Sequence, residues 1–231
     1  MEYDQVPVDL LEKAARRFEL KARSLQGKDH RRGKVVTISR LFGAGAEEIL
    51  PHLGEDLGWM VWDDQILDLL VNESHHQYQK RMFKALDERA QNWIEDIIAT
   101  FSERNPEEEY VTKLPHTLHM IATMDSVIVG RASHLFLPSS FRVFIKSSRA
   151  NRRRYLEQKL GLTSKEAEVE IDRRDENRQK FIEQMARQYE LIDRKYRDEY
   201  NFDLELNTDS INPVDAAEII ACAARKKLGI H

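Results

Sequence analysis

The sequence predicts an α/β protein, a parallel sheet of short buried strands flanked by helices. Three observations carry this. Short continuous apolar runs, Val35-Val36-Thr37-Ile38, Val127-Ile128-Val129 and Phe141-Arg142-Val143-Phe144-Ile145, have the character of strands covered on both faces. Longer segments between them repeat apolar residues at helical spacing. The first run also passes through Phe42-Gly43-Ala44-Gly45-Ala46, a tight small-residue loop, straight into a helix opening at Glu47-Glu48-Ile49-Leu50.

Composition bounds the rest. At 231 residues the chain holds one full domain with embellishments, or at most two small ones. Lys+Arg 36 against Asp+Glu 40 leaves no net field that calls for nucleic acid or an anionic membrane. The single cysteine, Cys222, excludes a disulfide framework within one chain and suits a reducing compartment. No apolar run approaches the roughly 20 residues needed to span a bilayer, and the acidic, then amphipathic N-terminus is unlike a signal peptide. The expectation is a cytoplasmic protein with no nucleic-acid or membrane partner.

In chain order, residues 8 to 25 form a helix striped by Leu10, Leu11, Ala14, Ala15, Phe18 and Leu25. With the polar, basic stretch Gly27 to Gly33, it makes an N-terminal segment, 1–33, set apart from a main domain, 34–231. It is read as an appendage that packs on the domain, on a partner or on a second copy. The helix after the glycine loop runs to about Leu57; Pro51 shortens or kinks it and Gly58 stops it. Trp59-Met60-Val61-Trp62 is a second strand, and Asp63-Asp64 precedes another helix. An Asp there is either an N-cap or a carboxylate at the strand's C-terminal edge, facing a ligand.

Gln77 to Arg104 reads as one long amphipathic helix, its aromatics core rather than a cofactor box, and Tyr110 to Met124 as a further helix. His75-His76 and His116 with His119 lack the cysteines or matched acids of a metal site, so they are read as surface residues and no metal ligand is assigned. Asp125 to Arg131 is a buried-type strand ending in Gly130-Arg131, where parallel sheets place ligand groups. After the Phe141–Ile145 strand comes Arg149-Ala150-Asn151-Arg152-Arg153-Arg154, a helix ending at Gly161, and Thr163-x-x-Glu166, a capping box. The next helix carries Arg173, Arg174 and Arg178. These seven arginines are either a solvated charged face or a mobile lid that clamps phosphates with planar guanidinium forks. Phe202 to Thr208 is the last strand, and Pro213 to Leu228 the closing helix.

The glycine loop matches a phosphate-binding loop in part. In the pattern G-x-x-x-x-G-K-[ST], Arg40 takes the first glycine's place and Gly45 the second; Ala46 stands for the lysine and Glu47 for the hydroxyl. Losing one charged donor typically costs roughly 10²–10³ in rate. A glutamate about 5 Å from a phosphate charge is disfavoured by roughly 3 kcal/mol at an effective dielectric near 20. The plain alternative is a strand–turn–helix that merely packs.

Six blocks in order resemble the cytidylate-kinase-like group of P-loop nucleoside monophosphate kinases. Val36-Thr37-Ile38-Ser39-Arg40 with Phe42-Gly43-Ala44-Gly45 is similar to that group's ISREFGSGG loop; Trp62 to Leu67 resembles YDREIL, and Val127 to Ala132 resembles VIVGRGA. Arg149 to Arg153 matches RAxRR, Asp175-x-x-Arg178 matches the lid's second arm, and Asn207-Thr208 the closing INT. The resemblance covers Lys34 to Leu228. It implies a P-loop NTPase-like parallel sheet flanked by helices, with a helical acceptor region about 64–124 and a helical lid about 149–180.

The resemblance also implies ATP, Mg²⁺ and phosphoryl transfer to a nucleoside monophosphate, CMP or dCMP first. Ser39, Arg40, Gly43, Ala44, Gly45 and Ala46 would surround the donor phosphates, Arg131 would hold the acceptor phosphate and Asp63 would position the acceptor. Arg152, Arg153, Arg174 and Arg178 would close over the transferring group. Ala46-Glu47 replaces the group's usual Gly-Arg or Gly-His, and Ala132 stands where cytidylate kinases have an aspartate. Two further readings stay open: a nucleotide-binding or regulatory module with a degenerate loop, and a phosphotransferase acting on a non-nucleotide small molecule.

Overall fold

Five strands, β1 (Val35–Arg40), β2 (Met60–Trp62), β3 (Ser126–Val129), β4 (Phe141–Lys146) and β5 (Leu204–Asn207), form one sheet in the order β2-β3-β1-β4-β5. The computed structural model describes residues 8–26, 32–72, 76–102, 109–189, 191 and 202–230. β1 lies at the centre, parallel to β3 on one side and to β4 on the other, with Ile38 opposite Val129 and Val143. All six of its residues are buried, which is why its sequence is continuous in β-branched residues instead of alternating. Its neighbours are both distant in sequence, so the loop leaving its C-terminal end sits where such sheets bind ligands.

The chain divides into two compact units, residues 1–34 with 62–125, and residues 35–61 with 126–231. In the second, α2 (Ala46–Leu57) and α10 (Pro213–Leu228) pack with the sheet in one core that includes Ile38, Ile49, Leu53, Val143 and Ile220. Ala216, Ala217, Ala221 and Ala224 are fully buried, so α10 meets its neighbours through small side chains. Pro51 does not shorten α2, which runs to Leu57 and stops at Gly58 in the left-handed region, φ 66°. α7 (Ser133–Phe136), α8 (Arg149–Leu160) and α9 (Ser164–Gln188) complete this unit. α9 opens on the expected capping box at Thr163 and Glu166.

The other unit is helical: α1 (Val8–Leu25), α3 (Asp64–Val71), α4 (His76–Ala85), α5 (Glu88–Ser102) and α6 (Glu109–Ile121). α1 packs against α4 and α3 with Leu11, Ala14, Ala15, Phe18 and Ala22 buried; Leu10 and Leu20 stay exposed. The Phe18 ring meets Trp62 edge-on, and Arg81 of α4 bridges Glu12 and Glu19. Within its unit, the N-terminal helix is thus part of the packed core.

The single helix expected over 77–104 is two, because Asp87 caps a new start: its Oδ1 accepts the Ala90 N–H at 2.9 Å. The Gln91 side chain then donates to the carbonyls of Phe83 and Leu86, satisfying the end of α4. Apolar spacing runs through this break unchanged, so periodicity hides it. Arg104 lies outside the described residues.

The histidines are not all at the surface. His119 is buried and its Nδ1 donates to the Pro115 carbonyl at 2.8 Å; burial first, then the Arg32 and His116 charges, lower its pKa. His116 is half-buried beside Gln79, whose amide also meets Thr117. His75 lies outside the described residues. No helix among the described residues is long and apolar enough to cross a membrane.

Candidate functional site

The residues from Leu41 to Ala46 join the centre of the sheet to α2. Leu41 extends the strand pairing, its N–H donating to the Ile145 carbonyl at 3.0 Å, and Gly43 and Gly45 then turn the chain, both at φ 76°. The glycines are needed for different reasons. A Cβ on Gly43 would fall 3.3 Å from the Arg152 carbonyl oxygen and from Leu156 Cγ, so α8 lies against it. A Cβ on Gly45 would meet nothing within 4 Å; that glycine serves conformation alone. Gly45 is also the N-cap of α2, with no side-chain cap; the Glu48 N–H donates to the Gly45 carbonyl at 3.1 Å, and the amides that precede it in the first turn of a helix have no intrahelical acceptor.

Beside this open flank lies a cavity of about 260 Å³, lined by the loop together with Asn151, Arg154, Tyr155, Thr208 and Asp209. The end of β5 holds the loop in place: Thr208 Oγ1 donates to the Ala44 carbonyl at 3.0 Å. Asp209 accepts from Ser147 Oγ at 2.6 Å and from the Ser148 N–H at 2.7 Å. Those hydrogen bonds, the Ser147 hydroxyl foremost, lower its pKa to about 2, so it is a fixed anion near neutrality. Burial, then the charges of Glu47 and Glu48, push the Tyr155 hydroxyl up to about 12, which keeps it a proton donor.

The loop's own charges are arranged differently from the expectation. Ala46 is fully buried in the sheet–helix core, so only its backbone is available to a ligand. Glu48 pairs with Lys159 of α8, which offsets one of the two acids, and Glu47 is exposed. Ser39 is buried, with its Oγ 3.2 Å from His134 Nδ1, and Arg40 is buried at the end of β1. Among the described residues no group of three or more His, Cys, Asp or Glu is placed to hold a metal ion.

The arginines form a hairpin of α8 and α9 around Leu156, Ala167 and Ile171, with Phe42 packed against them. Arg149 bonds Glu168 and Asp172. Arg153 reaches Glu168 at 3.4 Å and Glu157 at 3.5 Å. Arg173 and then Arg174 hold the Glu170 carboxyl down at about 2. The Arg174 and Arg178 guanidinium carbons also stand 5.3 and 5.5 Å from the centre of the Phe42 ring. Arg152 is buried, bonded to the Phe42 carbonyl and to Asp175.

Arg131 follows Gly130 in a left-handed turn; it and Ala132 have φ 50° and 55°, and its guanidinium carbon is 5.6 Å from the Phe181 ring. Two consecutive non-glycine residues in this region mark local strain of the kind held at functional sites. Asp63 belongs to the helical unit, where it is the N-cap of α3, accepting the Ile66 N–H at 2.8 Å.

In the sheet unit the structure therefore brings the loop from Gly43 to Ala46 together with Arg152, Arg174 and Arg178. Sequence reasoning missed Tyr155, Thr208 and Asp209 as cavity residues. In the sequence Thr208 reads only as a strand end, and nothing in the spacing shows that Tyr155 lines the same cavity as the loop.

Strand, glycine loop and helix follow one another at the C-terminal end of the central strand of a parallel sheet, an arrangement whose backbone amides and helix start suit an anionic ligand. The chain belongs to the cytidylate kinase-like family, which it matches over residues 35–210. An uncharacterized protein from Eubacterium ventriosum shares the fold at 18% identity and TM-score 0.55, over 83% of this chain and 98% of that one. TT1252 from Thermus thermophilus superposes more loosely, at 15% identity and TM-score 0.41 over 84% of this chain and 98% of that one. No curated protein matches the chain.

Proposed function

We propose that this protein transfers the γ-phosphoryl group of ATP to a nucleoside monophosphate, with CMP and dCMP as the first acceptors to test. One observation carries the reading: Gly45, the uncapped start of α2, borders a cavity in the same unit as an arginine hairpin packed on the loop. Backbone amides of the loop from Gly43 to Ala46 then face the donor phosphates, that of Ala44 excepted because it donates to the Leu41 carbonyl, and the nucleoside occupies the cavity beside Tyr155, Thr208 and Asp209. Arg153, Arg174 and Arg178 exchange their present carboxylate and aromatic contacts for the transferring group. Arg131 holds the acceptor phosphate. Such catalysis is positioning and charge neutralisation, so guanidinium groups can supply much of what the absent lysine would.

Among the described residues no carboxylate cage for a metal ion is formed, so a magnesium ion here would be carried by the nucleotide phosphates and water. When bound with the nucleotide it neutralises charge on the phosphate oxygens. The protein's own part is to hold the phosphates at the loop and to exclude water when the hairpin closes.

The test is coupled ADP formation from ATP–Mg²⁺ with a panel of nucleoside monophosphates. Wild type is expected to turn over at least one of them, and Arg174→Ala with Arg178→Ala to lose roughly 10²–10³ of the rate. A panel on which the wild type does no better than that variant overturns the proposal. The buried Ala46 favours a second reading, nucleotide binding without turnover. Calorimetry showing ATP affinity in a protein inactive on the whole panel would establish it.

A further inference from the structure

We infer that Arg152 is a positioning residue: with Asp175 it clamps the backbone of Phe42 and so fixes the glycine loop, rather than reaching phosphate itself. This rests on the donor-loop reading above and reassigns one of its arginines.

The geometry is a closed ring. Asp175 Oδ1 accepts the Phe42 N–H at 2.9 Å, and its Oδ2 accepts from Arg152 Nη1 at 2.6 Å. The same Nη1 donates to the Phe42 carbonyl at 3.2 Å. Both polar groups of one residue's backbone are thus held by side chains from two helices, Arg152 on α8 and Asp175 on α9. Phe42 immediately precedes Gly43, where a Cβ would stand only 3.3 Å from the Arg152 carbonyl oxygen of α8.

Burial separates Arg152 from the other hairpin arginines. Its side chain is 7% exposed and that of Asp175 is 15%, against 38% for Arg174 and 41% for Arg153. An arginine that grips phosphate presents two parallel N–H groups to it. Arg152 spends Nη1 twice within the protein, and its Nε is buried without a hydrogen bond among the described residues. A buried ion pair adds little stability over an apolar pair, but it is demanding in geometry, which suits a part whose work is to hold a loop in one shape.

The Phe42 ring takes the opposite role. Arg174 and Arg178 rest on it through cation–π contacts, which a phosphate can outcompete. Phe42 is therefore a joint: its backbone is locked by Arg152 and Asp175, while its ring parks the two arginines that are to move.

The test is a double-mutant cycle on the full chain, with Arg152→Met, Asp175→Asn and the pair together. ATP–Mg²⁺ affinity is read by calorimetry, and amide exchange at Phe42 by NMR. Each single substitution is expected to weaken ATP–Mg²⁺ by about tenfold, and the pair by no more than either alone. The Phe42 amide is expected to exchange about tenfold faster in all three, while amides of β1 keep their protection. Arg152→Met costing as much affinity in the Asp175→Asn background as in wild type would show an independent phosphate contact and overturn the inference. An unchanged Phe42 exchange rate would overturn it as well. Should Arg152→Met fail to fold, Arg152→Lys takes its place with the same expected outcomes. If wild type takes up no ATP–Mg²⁺, the kinase reading falls, and Phe42 exchange alone decides the clamp.

Discussion

The glycine loop has two flanks of opposite character. On the Phe42–Gly43 side every polar backbone group of Phe42 is held, and α8 presses on Gly43. On the Gly45 side the helix start is uncapped, and a Cβ would meet open space. Six residues of chain are thus rigid at one end and available at the other. A loop that must grip a flexible anionic ligand gains from this: the ordering is done before the ligand arrives, and only the open flank meets it.

The sharpest way to break the contrast is at Leu156, which packs α8 against the closed flank and is 2% exposed. Leu156→Ala is expected to cost about 2–5 kcal/mol in urea unfolding, through lost burial and the cavity left behind. Substituting the two glycines sharpens it. Gly43→Ala and Gly45→Ala each carry roughly 1–2 kcal/mol of left-handed strain, but only Gly43→Ala must also displace the Arg152 backbone. Thermal melts should therefore rank Gly43→Ala below Gly45→Ala; equal melting temperatures would mean that α8 does not press on the loop.

The smallest effect is electrostatic. Asp209 has its folded-state pKa depressed from 3.8 to about 2, so it stabilises the fold above pH about 4, and that contribution is lost as pH falls towards 2. Asp209→Asn is expected to melt lower than wild type at pH 7, with the gap closing between pH 4 and pH 2. A gap that stays constant across that range would place the effect elsewhere than the carboxylate charge.

β1 and β3 were legible because each is buried along its whole length, and burial on both faces writes itself into continuous Val and Ile. The glycine loop was legible because left-handed backbone demands glycine at Gly43 and Gly45. The division between α4 and α5 was not, since Leu86 and Ala90 keep helical spacing across a break made by Asp87 and Gln91. His119 was misplaced at the surface because a single hydrogen bond to its own helix, at Pro115, makes its burial tolerable.

The hairpin shows the limit most plainly. Arg149, Arg152, Arg153, Arg174 and Arg178 look equivalent on paper, as a run of cations with a ready use for phosphate. Their fates differ: Arg152 is sealed under the loop, Arg149 is tied to Glu168 and Asp172, and Arg174 and Arg178 lie on Phe42.

By itself the sequence determined the alternation of strands and helices, the position of the turn and the family likeness, because these follow from local preferences and periodic burial. Only the tertiary structure decided which charges are spent and which can still be spent. Partners such as Asp175 and Phe42 stand 133 residues apart in the chain, and a guanidinium's worth is set by what surrounds it rather than by its neighbours in sequence.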